Sequence, residues 1–392
     1  MLRSVDRYFL NRWVPPATLT LLSLAAYPLM NWSTVDPTHS LRLVVGVASV
    51  MLAWKSATYD IDLATGRRLM VERVVVVFAA LGVIAYPGFL FLLLFTATHF
   101  FRSWQHHQHL QIRICLVFLA AWIGYLVLQP LGDLRPLTSA ALLLVLLVTG
   151  SQYLVPGVNK CRLGRRWYSW MWHNRLHYLS LAAYMWGWCR FLPKERIVRW
   201  ISPLSTLDRP LQICVVAIEV GAAFTLFDRR LAMIFLGASA LFYASAFVLA
   251  GILFWQNMAM LGALAGVLFF LPDSVSAQVF GPANGILGCV LMFSLPFGLR
   301  LWQPFKLSWW DTPYIARTDW TVEGVSGKLY GLYNDFIEPN DRIFGNKSGY
   351  FFSHHKRITK HAGHARKWKV ADAIYRSLTT PELLDKEVAR LG

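Results

Sequence analysis

Lys160 is the residue whose chemistry depends most on where it sits. It closes Gly157-Val158-Asn159-Lys160, just after LTSAALLLVLLVTGSQYLV, a run over 137–155 that contains no charge. An amine at the edge of hydrocarbon loses hydration, which disfavours its charged form and makes it a candidate base. The alternative is an anchor whose stem lies in apolar surroundings while its head reaches water. Glu219 poses the same question, as the only acidic or basic side chain of LQICVVAIEVGAAFTLF. A lone buried carboxylate costs several kcal/mol unless it is protonated or paired. It therefore handles protons, or it hydrogen-bonds another helix. His173 and His177, in WYSWMWHNRLHYL, have i,i+4 spacing and would share one helix face if that segment is helical. They are candidates for proton transfer beside Lys160, or a pair of interfacial polar groups. Trp255-Gln256-Asn257, in GILFWQNMAML, sets two adjacent amides in apolar sequence. They must find partners, mark a break between helices, or hydrogen-bond a polar ligand headgroup.

The elements that position these groups follow from composition. Of 392 residues, 56% are hydrophobic and 15% charged, where a soluble protein carries about 25% charged residues. Apolar runs stand at 16–31, 42–54, 74–101, 114–131, 137–158, 211–227, 231–255, 256–272 and 279–300. A helix needs about 20 apolar residues to cross the hydrocarbon. Several runs reach that, and the shorter ones must borrow flanking residues. The runs are continuous and do not alternate, which predicts helices and not a barrel. The expected fold is an all-α polytopic membrane bundle of about eight transmembrane helices over 1–305. A small basic, aromatic-rich extension follows at 306–392. No small-residue cleavage site follows the first run, so a retained first helix is expected. Residues 2–13 suit a short helix lying on the membrane surface.

The net charge of +17 sits between the apolar runs, where it sets topology. Lys55, Arg67, Arg68 and Arg73 cluster, and the C-terminal part carries Lys356, Arg357, Lys360, Arg366, Lys367 and Lys369. That predicts a cytoplasmic C-terminus, and the expected location is a bacterial inner membrane, as a multi-pass protein. The lipid bilayer is the expected partner and nucleic acid is not. The tail's aromatics are expected to dock it on the membrane face, with a last helix starting at Thr379 or Thr380. His99, His106, His107 and His109 offer imidazoles at the end of one run, but no carboxylate stands among them. A polar loop end is expected there, and no metal. A Walker loop, a Rossmann glycine fingerprint, a GxSxG elbow and an HExxH pair are all missing from the sequence. Nucleotide-driven pumping and common hydrolase chemistry lack their residues.

The order of these pieces resembles the HTTM domain, the membrane part of vitamin K-dependent gamma-carboxylase and its bacterial relatives. GVNK at 157–160 is similar to that family's Gly-Val-Lys-Lys-like motif, with Lys160 on the second lysine and Asn159 on the first. Trp167 stands for the tryptophan that follows, at a longer spacing. Glu219, in IEVGAAFTLF, takes the acidic position, and 246–270 resembles the next pair of spans. Where the family pattern leads one to expect a histidine, Tyr243, Ala244 and Ser245 stand instead. The resemblance covers about 10–300.

That resemblance implies a membrane enzyme using a reduced quinone. Lys160 would deprotonate the hydroquinone, oxygen would then generate a stronger base, Glu219 would orient or relay protons, and His173 and His177 would assist. Trp167, Trp255, Gln256 and Asn257 are the candidate quinone contacts, with a peptide or a small hydrophobic molecule as substrate. Glutamyl carboxylation itself is not implied. The contrasting hypothesis is a non-catalytic membrane maturation or immunity factor, or a small-molecule carrier. There Lys160 is an anchor and Glu219 a packing contact.

Overall fold

The computed structural model of this chain describes residues 39–57, 69–101, 109–128, 135–163, 165–174, 191–250, 254–299 and 320–332, with isolated positions between them. The surface helix expected at 2–13, most of the run at 16–31, His106, His107, the tail beyond 332 and its last helix lie outside the described residues.

The long apolar runs form helices. They are α1 (His39–Ala57), α2 (Met70–Ala85), α3 (Leu90–His99), α4 (His109–Leu128) and α5 (Arg135–Cys161). After the short α6 (Ser169–His173) come α7 (Lys194–Gly221), α8 (Arg229–Ala250), α9 (Trp255–Phe270), α10 (Asp273–Val279) and α11 (Pro282–Phe293). Among the described residues, three segments are long and apolar enough to cross a membrane: Leu110–Leu128, Pro136–Cys161 and Arg229–Leu249. The pair α9 and α10 adds a fourth if it counts as one span bent by 118°. Eight such helices are not seen among the described residues, and part of the reason is local. The run at 74–101, expected as one span, breaks at Tyr86, where the backbone turns extended (φ −151°, ψ 123°) ahead of Pro87. Proline has no N–H to continue the ladder and pushes its predecessor out of helical conformation. The run at 279–300 is helical only over Pro282–Gly298, which is shorter than the membrane-length segments.

The chain falls into two compact units. The first comprises Met1–Gly150, Ala223–Ala240 and Trp255–Met292. In it α1 packs against α2, α4 and α9. Its aromatic centre is Tyr86, Trp122 and Tyr125, with Trp122 edge-on to Tyr86 (5.4 Å) and stacked on Tyr125 (5.7 Å). Helix α2 shows what the apolar helices do with their outer faces. Val76, Ala79, Ala80 and Val83 are buried, whereas Val71, Val74, Phe78 and Leu81 are more than half exposed at helical spacing. A helix that is apolar on both faces suits lipid on one of them. Asp228, read from sequence as a topological loop residue, caps α8: its Oδ1 accepts from the N–H groups of Arg230 (2.7 Å) and Leu231 (3.3 Å).

The second unit comprises Ser151–Ala222, Leu241–Phe254 and Phe293–Gly392. The described elements are helical as expected, apart from one short antiparallel hairpin here, β1 (Trp320–Glu323) and β2 (Leu329–Leu332). Thr321, Val322 and Tyr330 are good strand formers, and Gly327 takes the left-handed conformation (φ 76°) that the turn requires.

Candidate functional site

Lys160 and Glu219 meet inside the second unit. Lys160 is 1% exposed and Glu219 5%, and the ammonium nitrogen donates to Glu219 Oε1 at 2.5 Å. The indole of Trp170 lies 5.0 Å from the same nitrogen. Whichever atom holds the shared proton, the pair is net neutral, which is how two ionisable groups survive burial. The ring adds a cation–π contact that strengthens as water is excluded.

The local sequence explains how the two helices come this close. Pro156 removes one ladder hydrogen bond from α5. Gly157 follows it, on the same face as Lys160 one turn later. A methyl group placed on Gly157 would stand 2.8 Å from Glu219 Cβ and 3.2 Å from the Val220 backbone nitrogen. Only the hydrogen of glycine fits, so the helical cost of Gly157 is what lets α7 approach. Asn159 turns back on its own helix, donating to the Val155 carbonyl at 2.7 Å. Gly157→Val is expected to destabilise the protein by about 1–3 kcal/mol through overpacking, read as a lower midpoint in detergent unfolding. An unchanged midpoint would refute the contact.

Helix α7 contributes more than Glu219. It runs 28 residues with Pro203 and Pro210 inside, longer than the apolar run at 211–227 suggested. Asp208, Gln212, Val216 and Glu219 recur at helical spacing, and all four are buried. They form one face that spans about 16 Å at 1.5 Å per residue. Each polar member meets a group from the 160–177 segment. Gln212 accepts from the Asn174 amide at 3.2 Å. Asp208 accepts the His177 backbone N–H at 3.0 Å, and its second oxygen lies 2.5 Å from His177 Nδ1. Between the Glu219 and Gln212 levels, Val216 packs with Leu163, Trp170 and Met171 in an apolar cluster. Gln212 Nε2 is buried with no hydrogen-bond partner among the described residues.

The other sequence candidates fall elsewhere. His173 and His177 do not share a helix face, because α6 ends at His173 and Asn174 is extended (φ −68°, ψ 150°). The side chain of His173 lies outside the described residues. Trp167 is 67% exposed and edge-on to Tyr168, while Trp170 is the ring over Lys160. Trp255, Gln256 and Asn257 belong to the first unit and open α9. There Trp255 packs edge-on against Trp54 (6.1 Å), and Asn257 accepts from Gln111 at 3.5 Å. His99 stacks on Phe95 (5.2 Å). No group of three metal-ligating side chains occurs among the described residues.

Sequence reasoning missed Asp208, Gln212, Asn174 and Trp170. A signal was present for two of them. Positions 208, 212 and 219 place polar side chains on one face of a helix that is otherwise apolar beyond Pro210, and a polar stripe of that kind needs partners. Comparison with known proteins finds no family model, no characterised protein and no solved structure that matches the chain.

Proposed function

We propose that this chain is a multi-pass integral membrane protein that removes a proton from a reduced quinone, with Lys160 as the base. The observation that carries this reading is the buried Lys160–Glu219 pair under Trp170. Ionisable groups at membrane depth are expensive and mark functional sites. The resemblance to the HTTM domain assigns Lys160 the same role, the apolar runs support about eight spans, and the basic C-terminal part supports a cytoplasmic C-terminus in a bacterial plasma membrane.

The residues present fit such a ligand. A quinone ring needs apolar walls and hydrogen-bonding groups at its oxygens. Leu163, Trp170, Met171 and Val216 are apolar neighbours, and Gln212 Nε2 is a buried donor that would gain an acceptor. A bound reduced quinone would supply an acidic O–H and two electrons. Lys160 Nζ would accept the proton as a neutral amine, once the shared proton has left through Glu219 and Glu219 is a carboxylate. Glu219 then stabilises the ammonium that results. Trp170 covers the nitrogen and limits water.

Mass spectrometry of lipids retained by the gently purified protein tests the reading. An isoprenoid quinone is expected in wild type, and Gln212→Leu is expected to reduce it about tenfold, the value of one hydrogen bond to a buried donor. Retained phospholipid without any quinone would overturn the proposal. The non-catalytic reading, in a maturation or immunity factor or a carrier, would then explain the pair, because Glu219 already satisfies the ammonium.

A further inference from the structure

The buried face of α7 carries a second pair of titratable groups, and its geometry is more specific than packing needs. Asp208 is 1% exposed, on the inner face of a helix, with both carboxylate oxygens directed at one residue. Oδ1 accepts the backbone N–H of His177, which fixes the chain. Oδ2 faces Nδ1 of the imidazole, which fixes the ring. The imidazole is the more accessible member, with 18% of its side chain exposed against 1% for Asp208. Among the described residues, three other charged groups of this unit are engaged elsewhere. Arg209, next on the helix, lies over the Trp172 ring at 4.9 Å. Lys160 and Glu219 are engaged with each other beyond the cluster of Leu163, Trp170, Met171 and Val216.

We infer that His177 and Asp208 form a second acid–base centre, distinct from Lys160, in which Asp208 holds the imidazole as the Nδ1–H tautomer and Nε2 exchanges protons. A neutral imidazole donates from one nitrogen and accepts at the other, and the hydrogen bond made by one decides which. A carboxylate cannot donate, so Nδ1 must carry the hydrogen and the lone pair sits on Nε2. Proton uptake at Nε2 then produces an imidazolium held against the buried carboxylate, and release restores the neutral ring. No other bond changes. Asp208 is a positioning residue, acting through His177. The apolar cluster between the two pairs separates this centre from Lys160, so it stands whether or not Lys160 is a base.

Asp208→Asn separates this role from a structural staple. The amide keeps an oxygen for the His177 backbone N–H, so the loop stays tied. Its NH₂ group now faces Nδ1 as a donor, which moves the ring hydrogen to Nε2. The full-length protein in detergent, labelled with ¹⁵N in its histidine rings and assigned through His177→Gln, is the sample. Wild type is expected to show a protonated Nδ1 and an unprotonated Nε2, and Asp208→Asn the reverse. Carbethoxylation of His177 by diethyl pyrocarbonate, followed by peptide mass spectrometry at neutral pH, is expected to slow about tenfold in Asp208→Asn. A neutral wild-type ring that carries its hydrogen on Nε2 and not on Nδ1 overturns the proposal even if the variant does not fold. So does an unchanged modification rate in a folded variant. Loss of quinone retention with the tautomer intact would count against the Lys160 reading alone.

Discussion

Glu219→Leu is expected to destabilise the protein by about 3–5 kcal/mol, because it leaves the Lys160 ammonium buried without its carboxylate. The ion pair itself contributes far less than its breaking costs. Lys160→Met with Glu219→Leu together is therefore expected to lie within about 1–2 kcal/mol of wild type, or above it, since two apolar side chains replace two desolvated groups. The pair is in contact, so the two changes must be non-additive. Reversible unfolding in mixed detergent, run on wild type, both single variants and the double variant, closes the cycle. If the double variant loses as much as the sum of the singles, the two side chains are not a coupled pair and the site must be redrawn. Lys160→Met alone is expected to cost less than Glu219→Leu. The carboxyl can take a proton and become neutral, while an ammonium in apolar surroundings has only proton loss available, against a larger intrinsic preference for its charge.

Lys160→Met is also expected to lower turnover of a reduced naphthoquinone by about 10²–10⁴, the usual contribution of a general base. Oxidation of the quinol by dissolved oxygen, which takes up its two electrons, is followed by absorbance in the purified protein. Lys160→Arg is expected to be nearly as damaging although it keeps the positive charge, because a guanidinium stays protonated and cannot accept the proton. Glu219→Gln keeps the shape and one acceptor for Lys160, so its loss should be smaller. The arginine variant is the decisive one. Normal turnover with arginine at 160 would show that charge alone is needed, and Lys160 would then be an anchor. The double variant from the folding experiment is a useful control, as a folded protein with no ionisable group at either position.

The sequence by itself determined the helical character of most described elements and the presence of membrane-length apolar segments. Continuous apolar runs leave no other way to satisfy backbone groups in lipid. It also singled out Lys160 and Glu219, because each is a lone ionisable side chain at an apolar run, and such a group is costly wherever the chain folds. Run length alone does not give the length of an unbroken helix. Tyr86-Pro87 divides the run at 74–101, and hydrophobicity averaged over a window does not register a single backbone break. In the opposite sense, α7 continues N-terminal to its apolar run through two prolines, because tertiary contacts override local propensity.

Only the tertiary structure decided who meets whom. Glu219 is 59 residues from Lys160 in the chain, and nothing in either local pattern names the other as partner. Their meeting depends on the missing side chain at Gly157, a fact about the space between two helices. The same holds for Asp208, which reads in sequence as an ordinary charge ahead of Pro210 and becomes a buried clamp on His177 once α7 presents that face inward. It holds for Trp170 as well, which covers Lys160 while Trp167, three residues earlier, stays exposed. Residue type and period fix which groups are costly to bury. Helix approach and backbone conformation, here Gly157 and the extended Asn174, fix which group relieves the cost.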